Sequence, residues 1–351
     1  MERFCAALFG AWGASPAAAA ETARHLVRAN LSGHDSHGVL RIPQYARELA
    51  SGRLNPAAEP VVEETRAATA LVDAQHGFGQ HSTAVALDWC VRTAPRHGLA
   101  AAAVRHSMHI GRLGEYTERA AEKGLVSLVT VGIAGHGYGS VAPFGGAARF
   151  LGTNPWSIGI PAQGRPPFIF DAASSAIAEG KVRVALAAGK ELPPGVLLDR
   201  EGRASRSPAD LYEGGTLLPV GGEVAGHKGY GLALASALLG GLAMVGDEAP
   251  SQGGTAAPGG EPFLAGVFVC AIDPAAFGDA GQYGRLVAAL LAGAGEVPAA
   301  AGSAGVLVAG EPELRMRAQR LADGIPIPET TWAEVAEVAA RFSVELPRAV
   351  S

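Results

Sequence analysis

Hydrophobic residues recur at helical spacing near both ends of the chain, whereas the middle carries shorter apolar runs between turn residues. The helical spacing predicts α-helices over residues 4–12, 17–30, 39–50, 283–293 and 311–322. Ser15-Pro16 has the sequence of a helix cap followed by proline at the first helical position. A last helix is predicted to start at Thr331-Trp-Ala-Glu334, which has the capping-box sequence.

The short apolar runs in the middle of the chain predict β-strands that alternate with helices. The predicted strands cover residues 61–62, 69–73, 99–105, 125–131, 156–161, 168–170 and 265–272. The predicted helices between them cover residues 77–96, 112–123, 172–188 and 232–245. This alternation predicts an α/β fold, and the length of 351 residues is typical of two or three domains.

Gly77-Phe-Gly79, at the start of one predicted helix, has the first two glycines of a dinucleotide-binding fingerprint. The third position is Ser82 instead of glycine, and no acid follows about 20 residues later in the expected setting. We therefore expect a glycine-rich helix start here and not a Rossmann site.

A cluster of polar residues, Gly33-His-Asp-Ser-His-Gly38 and the following Val-Leu-Arg41, lies between two predicted helices. Ser36 is expected to cap the helix over 39–50, and His37 and Arg41, four residues apart, are expected to share one helix face. A histidine can move a proton near neutral pH, and an arginine can hold a carboxylate through two donors. The cluster therefore suits a small acid, and the alternative is a solvated polar turn.

His109 is a second candidate, between the strand over 99–105 and the helix over 112–123. Ligand sites in α/β folds favour the loop that follows the carboxyl end of a strand. The alternative is a loop histidine in water. His106 and His109 also suggest a metal site, but neither an HExxH sequence nor a cysteine pair accompanies them.

Three further segments have features of a nucleotide site. The glycines between residues 132 and 155 either bring backbone N–H groups close to a phosphate or form turns. Asp171, at the end of a predicted strand, either caps the next helix or orients a histidine or a ribose hydroxyl. Lys228, between glycines just before the predicted helix over 232–245, suits an anion at a helix N-terminus.

Composition narrows the expected partners and location. The formal net charge of −5 and the absence of a basic stripe argue against nucleic acid. Cys5, Cys90 and Cys270 have neither a disulfide-framework nor a zinc spacing, which favours a reducing compartment. We expect an amphipathic helix at the N-terminus instead of a signal peptide, no membrane span and a cytoplasmic location. Residues 246–260, rich in Gly, Ala and Pro, are predicted to be mobile.

Seven motifs occur in a characteristic order along the chain. They are Gly33-His-Asp-Ser-His-Gly-Val-Leu-Arg-Ile-Pro-Gln-Tyr45, His109-Ile-Gly111, Pro143-Phe-Gly-Gly146, Gly152-Thr-Asn-Pro155, Asp171-Ala-Ala-Ser-Ser175, His227-Lys-Gly-Tyr-Gly231 and Gly310-Glu-Pro-Glu313. Together they resemble the non-Rossmann malate/L-lactate dehydrogenase family, which also contains sulfolactate and ureidoglycolate dehydrogenases and a cyclic-imine reductase. The resemblance covers nearly the whole chain.

The resemblance implies a fold, a cofactor and an assembly. It implies a helical domain built from residues 1–60 and 281–351, and an α/β domain with a mixed sheet over residues 61–280. The α/β domain is expected to bind NAD or NADP in a non-Rossmann manner. The chain is expected to form a homodimer.

The resemblance also implies roles for individual residues. His109 matches a histidine assigned as proton acceptor in ureidoglycolate-type members, and Ser36 and His37 match a pair with proton-transfer roles in the imine-reductase branch. Arg41 matches an arginine near the substrate and the cofactor. Cofactor contacts are implied for Thr153, Asn154, Asp171, Ala172, Ala173, Lys228, Ala309, Gly310 and Glu311.

The resulting hypothesis is hydride transfer between NAD(P) and a small 2-hydroxy or 2-keto acid. Oxidation of the alcohol needs a base for the O–H proton, and either His109 or His37 suits that task. One alternative is an NADPH-dependent reductase of a cyclic imine acid, piperideine- or pyrroline-2-carboxylate. The others are a family member that binds cofactor without turnover and a metal-dependent hydrolase. The hydrolase would use His34, His37, His106 and His109.

Overall fold

The computed structural model describes residues 1–246 and 264–347. The segment predicted to be mobile lies outside these residues, apart from Gly246. In the described ranges, no helix has the length and apolar character needed to cross a membrane.

The helices and strands alternate through the middle of the chain, and helices lie at both ends. The helices are α1 (Glu2–Ala11), α2 (Pro16–Leu31), α3 (Ile42–Ala50), α4 (Gly79–His97), α5 (Gly114–Glu122), α6 (Glu179–Ala187), α7 (Pro208–Tyr212), α8 (Gly222–Gly240), α9 (Ala280–Glu296), α10 (Glu311–Asp323) and α11 (Glu329–Arg341). The strands are β1 (Val61–Arg66), β2 (Thr69–Asp73), β3 (Leu99–Arg105), β4 (Val126–Ala134), β5 (Trp156–Ile160), β6 (Phe168–Ala172), β7 (Leu197–Leu198), β8 (Ala204–Ser205), β9 (Thr216–Leu217) and β10 (Leu264–Ile272).

Seven of the strands form one mixed sheet in the order β1-β2-β3-β10-β4-β5-β6. β1 pairs antiparallel with β2, with Val61 opposite Asp73, and β2 pairs parallel with β3, with Thr69 opposite Ala101. The short strands form a second sheet in the order β8-β7-β9. The predicted mixed α/β fold is therefore confirmed.

The chain divides into two compact units. One comprises residues 1–128, 158–171 and 269–351, and the other comprises residues 129–157 and 172–268. The assignment of segments to a helical domain and a cofactor domain stays a prediction.

A buried cluster in the first unit joins helices from both chain ends. It contains Leu8 and Phe9 of α1, Leu26 of α2, Ile42 of α3 and Val335 of α11, all fully buried. The predicted cap of α2 is confirmed, because the Ser15 side chain accepts a hydrogen bond from the Ala18 N–H at 3.2 Å. Burial of such side chains, about 1.5–3 kcal/mol each, fastens the C-terminal α11 to the N-terminal helices.

The second unit has a core of its own. Its buried members are Ala134, Val141, Leu151, Val182, Leu192, Leu197, Leu211, Leu217, Ala233 and Ala237. They bring α6, α7 and α8 together with the small sheet and with β4.

The predicted helix over 39–50 begins later than expected, at Ile42. Two 3₁₀ turns, Asp35–His37 and Val39–Arg41, precede it, with extended backbone at Gly38 between them. Pro43 has no backbone N–H to continue a helix and therefore lies in the first turn of α3. Ser36 consequently does not cap α3, and the expectation that His37 and Arg41 share one helix face was wrong.

Other helix starts also differ from the prediction. α6 begins at Glu179, because β6 continues through Ala172 and a turn-rich segment follows it. α11 begins at Glu329 after Pro328, so Thr331 does not cap it. α8 begins at Gly222, ten residues before the predicted start, and is interrupted at Ala225, whose φ of −130° and ψ of 15° are not helical.

Candidate active site

His37 and His109 lie next to each other in the first unit although they are far apart in sequence. Their ring centroids are 5.4 Å apart, and the ring planes are inclined by 27°, so the imidazoles stack. Both side chains are partly buried. Two groups that can each hold or move a proton therefore share one location.

The loop that carries His109 is held by close contact with neighbouring helices. A Cβ at Gly79, the first residue of α4, would lie 2.2 Å from the carbonyl oxygen of Met108. A Cβ at Gly111, whose φ is +80°, would lie 2.4 Å from Nε2 of His25 on α2. Glycine is required at both positions, because any side chain would push the loop away.

A buried hydrogen-bond chain contacts one nitrogen of the His109 ring. The hydroxyl oxygen of Tyr45, on α3, lies 2.6 Å from His109 Nδ1. The Nε2 of Gln80, on α4, donates to the same hydroxyl oxygen at 2.6 Å. Tyr45 is 2% exposed and Gln80 is fully buried, so water does not compete for these bonds.

Ser36, His37 and Arg41 are joined through the two 3₁₀ turns. The Ser36 Oγ lies 2.9 Å from His37 Nδ1, and the Arg41 Nε donates to the Ser36 carbonyl oxygen at 2.6 Å. Arg41 Nη1 also donates to Gln44 Oε1 at 2.5 Å. These bonds hold the guanidinium beside the turn that carries His37.

Helix α10 holds the same turn from the other side. Arg320 pairs with both carboxylate oxygens of Asp35, at 2.6 and 3.0 Å. Asn30 also donates to Asp35, at 2.6 Å, and His34 Nε2 lies 3.1 Å from Glu313 Oε1. Asp35 therefore anchors the turn to α10 and to Asn30.

The environment keeps both stacked histidines neutral at neutral pH. Burial, and then the charge of Arg41, lowers the pKa of His37 to about 3. The same two causes, in the same order, lower the pKa of His109 well below its usual value. Each ring therefore carries one proton and one free electron pair in the absence of a bound anion.

Asp171 lies at the N-terminus of α5 rather than at the cap of the helix that follows it. Its Oδ2 accepts the Gly114 N–H at 2.6 Å and lies 3.6 Å from Arg112 Nε. Burial raises the pKa of Asp171, and Arg112 opposes that rise.

The segment 309–311 lies against β6, the strand that ends near Asp171. The Ala309 carbonyl oxygen accepts the Ile169 N–H at 3.2 Å. Gly310, with φ of +97°, precedes α10, and Glu311 Oε1 lies 3.4 Å from Arg165. Three of the predicted cofactor residues are thus close to the β6 end in the first unit.

The remaining predicted cofactor residues belong to the second unit. Asn154 is buried, and its side chain bonds the Ile133 N–H at 3.0 Å and the Ala233 carbonyl at 2.9 Å. Thr153 accepts the Ser174 N–H through its carbonyl oxygen, which holds the segment after Ala172 and Ala173. Asn154 therefore has a structural task, whereas Thr153 contributes its backbone to that segment.

Lys228 lies inside α8, so its predicted position before a helix start was wrong. The interruption at Ala225 nevertheless places Lys228 in the first turn of the second helical segment, and its side chain is exposed. An exposed cation there can meet an anion from solvent.

The four histidines of the metal hypothesis do not converge. His106 Nδ1 lies 3.0 Å from Asp73, whereas His34 faces Glu313 and His37 stacks on His109. Among the residues that the structure describes, no three His, Cys, Asp or Glu side chains form a group suited to a metal ion. The geometry gives the hydrolase alternative no support.

Sequence reasoning missed the partners of the candidate residues. Tyr45 has a recognisable signal, since Ile42, Tyr45 and Ala46 form the buried face of an amphipathic helix. The roles of Gln80 and of the Asp171–Gly114 pair have no such signal in the sequence, because both depend on contacts between distant segments.

Comparison with known proteins shows the family to which this chain belongs. Residues 1–336 match the family model described as malate/L-lactate dehydrogenase. The chain is 34% identical to hydroxycarboxylate dehydrogenase B of Escherichia coli K12, over 98% of this chain and 93% of that protein.

Solved structures of two enzymes share the fold. Sulfolactate dehydrogenase from Methanocaldococcus jannaschii has a TM-score of 0.85 and 30% identity, with 98% of this chain and 96% of that chain covered. Δ¹-Piperideine-2-carboxylate reductase from Pseudomonas syringae pv. tomato has a TM-score of 0.80 and 33% identity, with 96% and 97% covered. The protein is therefore an oxidoreductase. It belongs to the malate/L-lactate dehydrogenase family, as its motif order indicated.

Proposed function

We propose that this oxidoreductase transfers a hydride reversibly between NAD or NADP and a small 2-hydroxy acid. The stacked pair of His37 and His109 beside Arg41 carries the proposal. The histidines hold the reacting oxygen and its proton, and Arg41 holds the carboxylate. Malate, lactate and sulfolactate are candidate acids in line with the named family and relatives, and the motif resemblance adds ureidoglycolate.

Substrate binding prepares the histidines for proton transfer. The charge of Arg41 is the second cause, after burial, that lowers the pKa of both His37 and His109. A carboxylate bound to Arg41 compensates that charge, so the pKa of each imidazole rises when substrate is present. The pair then accepts a proton more readily at the moment the reaction needs it.

Each unit, taken by itself, has groups that suit one part of a nicotinamide dinucleotide. Lys228 is an exposed cation in a first helical turn, which suits a phosphate. The carboxylates of Asp171 and Glu311 suit ribose hydroxyls, because an ionised carboxylate accepts hydrogen bonds. When bound, the cofactor supplies or takes up the hydride. Thr153, Ala172 and Ala173 in the second unit, and Ala309 and Gly310 in the first, offer backbone groups. The side chain of Asn154 holds the segment that carries Thr153.

We further propose a cytoplasmic homodimer. Leu232, Leu238, Leu242 and Val245, on α8 and the turn after it, are exposed apolar side chains of the kind a second copy covers. Light scattering after size-exclusion chromatography tests the assembly.

A second candidate is the reduction of a cyclic imine acid. The Ser36–His37 contact of 2.9 Å supports it, because a histidine coupled to a hydroxyl can deliver the proton that an imine nitrogen needs. The piperideine-2-carboxylate reductase structure shares the fold over nearly the whole chain. Both candidates use the same proton-transfer residues and differ in substrate.

A spectrophotometric screen tests these proposals. The purified protein is mixed with each nicotinamide cofactor and with the four hydroxy acids, their keto forms and the two cyclic imine acids. We expect a change in reduced-nicotinamide absorbance with at least one acid, unaffected by chelator. Binding of cofactor without turnover on the whole panel would refute the catalytic proposal and favour a silent binding protein.

A further inference from the structure

We infer that Gln80, acting through Tyr45, fixes the ring proton of His109 on Nε2, so that His109 is a hydrogen-bond donor in the resting enzyme and not the base. The catalytic role of this Nε2–H donor rests on the proposed function. The position of the ring proton can be measured independently of that function. Gln80 and Tyr45 are positioning residues in this proposal.

The direction of the hydrogen-bond chain follows from the number of protons available. Gln80 Nε2 donates to the hydroxyl oxygen of Tyr45, so the single hydroxyl proton of Tyr45 is free to point at His109. At 2.6 Å, His109 Nδ1 must then accept that proton. A neutral imidazole whose Nδ1 accepts carries its own proton on Nε2.

The direction of this hydrogen-bond chain depends on how the Gln80 amide group is oriented. Oε1 of Gln80 is buried and has no hydrogen-bond partner among the described residues. If the amide were turned over, its NH₂ group would occupy that place with two unpaired donors. A buried unpaired N–H is rarer in proteins than a carbonyl with an unused lone pair, so the stated orientation is favoured.

The groups around His109 favour its neutral form, in which the ring carries a single proton. Arg41 and the imidazoles of His37 and His25 face it, and each lowers its pKa after the larger effect of burial. Glu48 acts on the Tyr45 end of the chain. Burial raises the pKa of Tyr45, so its hydroxyl keeps its proton.

The two stacked histidines consequently differ in what they can do. The Nδ1 of His37 faces the Ser36 hydroxyl, which can donate or accept, so the proton of His37 can occupy either nitrogen. His109 is restricted to one form by Gln80 and Tyr45. We therefore assign the proton of hydroxy-acid oxidation to His37, while the Nε2–H of His109 holds the substrate oxygen.

Nitrogen-15 NMR of histidine-labelled protein tests this directly. The chain has 10 histidines, so the His109 signals are assigned by their loss in His109→Gln. At neutral pH we expect the proton on Nε2 and a bare Nδ1 in the unmodified protein. A proton on Nδ1 would overturn the inference.

Two variants test the role of the chain. Gln80→Met keeps the volume but cannot donate, and Tyr45→Phe removes the donor to Nδ1; in both we expect a mixture of ring forms. Gln163→Met, on an exposed glutamine, is the matched control and should leave the spectrum unchanged. An unmixed Nε2–H form in both site variants would show that Gln80 and Tyr45 do not set the proton position.

Activity separates this inference from the proposed function. We expect a loss of kcat of about tenfold in Gln80→Met with a smaller change in KM, as loss of one buried hydrogen bond predicts. If the protein turns over no acid but His109 carries its proton on Nε2, only the proposed function is refuted. If the protein is active and His109 carries its proton on Nδ1, only this inference is refuted.

Discussion

The Nε of Arg41 donates to the carbonyl oxygen of Ser36 at 2.6 Å, which fixes the guanidinium to the turn that carries His37. The cation proposed to bind the carboxylate and the histidine proposed to transfer the proton are thereby held by one short backbone segment. An acid bound at Arg41 would therefore meet His37 without any large rearrangement.

Replacement of Arg41 tests the carboxylate clamp. We expect Arg41→Gln to reduce kcat/KM by an amount equivalent to about 2–5 kcal/mol, because a buried carboxylate would lose its charged partner. The comparison uses a substrate analogue with a carboxamide in place of the carboxylate. Equal losses for acid and amide would show that Arg41 does not bind the carboxylate.

Replacement of the stacked histidines tests proton transfer. His37→Ala should lower kcat by about 10²- to 10⁴-fold, the usual contribution of a general acid or base, while the dissociation constant of the cofactor stays unchanged. His109→Ala should also remove most turnover, because the substrate oxygen loses its donor. His136→Ala is the control. Full activity in both site variants would contradict the assignment.

The depressed pKa of His37 predicts a loss of stability in acid. The unfolded chain binds a proton at His37 near its ordinary pKa, about 6.5, whereas the folded protein binds it only near pH 3, so stability falls as pH falls between these values. His37→Gln should therefore lose less stability than the wild type between about pH 7.5 and about pH 5, by about 2 kcal/mol at most. If the free energies of unfolding of the wild type and of His37→Gln, measured in urea, change with pH in the same way, the lowered pKa of His37 is contradicted.

Lys228 offers a test of the proposed phosphate contact. Lys228→Ala should weaken cofactor binding by about tenfold, because a charge-assisted hydrogen bond is lost. The effect should shrink at high salt. Lys190→Ala, also exposed, serves as the control, and cofactor fluorescence titration measures both. An unchanged affinity in Lys228→Ala would exclude the contact.

The pair of Asp35 and Arg320 predicts an effect of α10 on catalysis. Arg320→Ala should destabilise the protein by about 1–3 kcal/mol and reduce kcat, since the turn before His37 loses its anchor. Arg203→Ala, which breaks an exposed pair with Asp199, is the control and should leave the urea midpoint of unfolding nearly unchanged. Unchanged kcat in Arg320→Ala would show that the turn keeps its shape unaided.

Local pattern predicted most helices and strands but missed how the polar cluster is built. Strong periodicity identified α2, α4 and β3 closely, and Ser15 was recognised as a cap. The cluster after α2 forms 3₁₀ turns because of extended backbone at Gly38 and the proline at 43. The hydrophobic period ran from residue 39 through Pro43, so it predicted one helix over 39–50 where there is a 3₁₀ turn followed by a shorter helix.

The candidate site was predictable residue by residue but not as an arrangement. His37 and His109 each had a local reason to be chosen. Their contact depends on Gly79 lying against Met108 and Gly111 against His25. Such approaches between distant segments leave no mark in spacing, and the same holds for Gln80 behind Tyr45.

The ion pair of Asp35 with Arg320 has a consequence for synthesis of the protein. The ribosome makes the histidine turn before the arginine that holds it, and before the helix α11 that completes the core around α1 to α3. A nascent chain therefore cannot acquire activity in stages, and products of premature termination before α10 should be inert and susceptible to proteolysis at that turn.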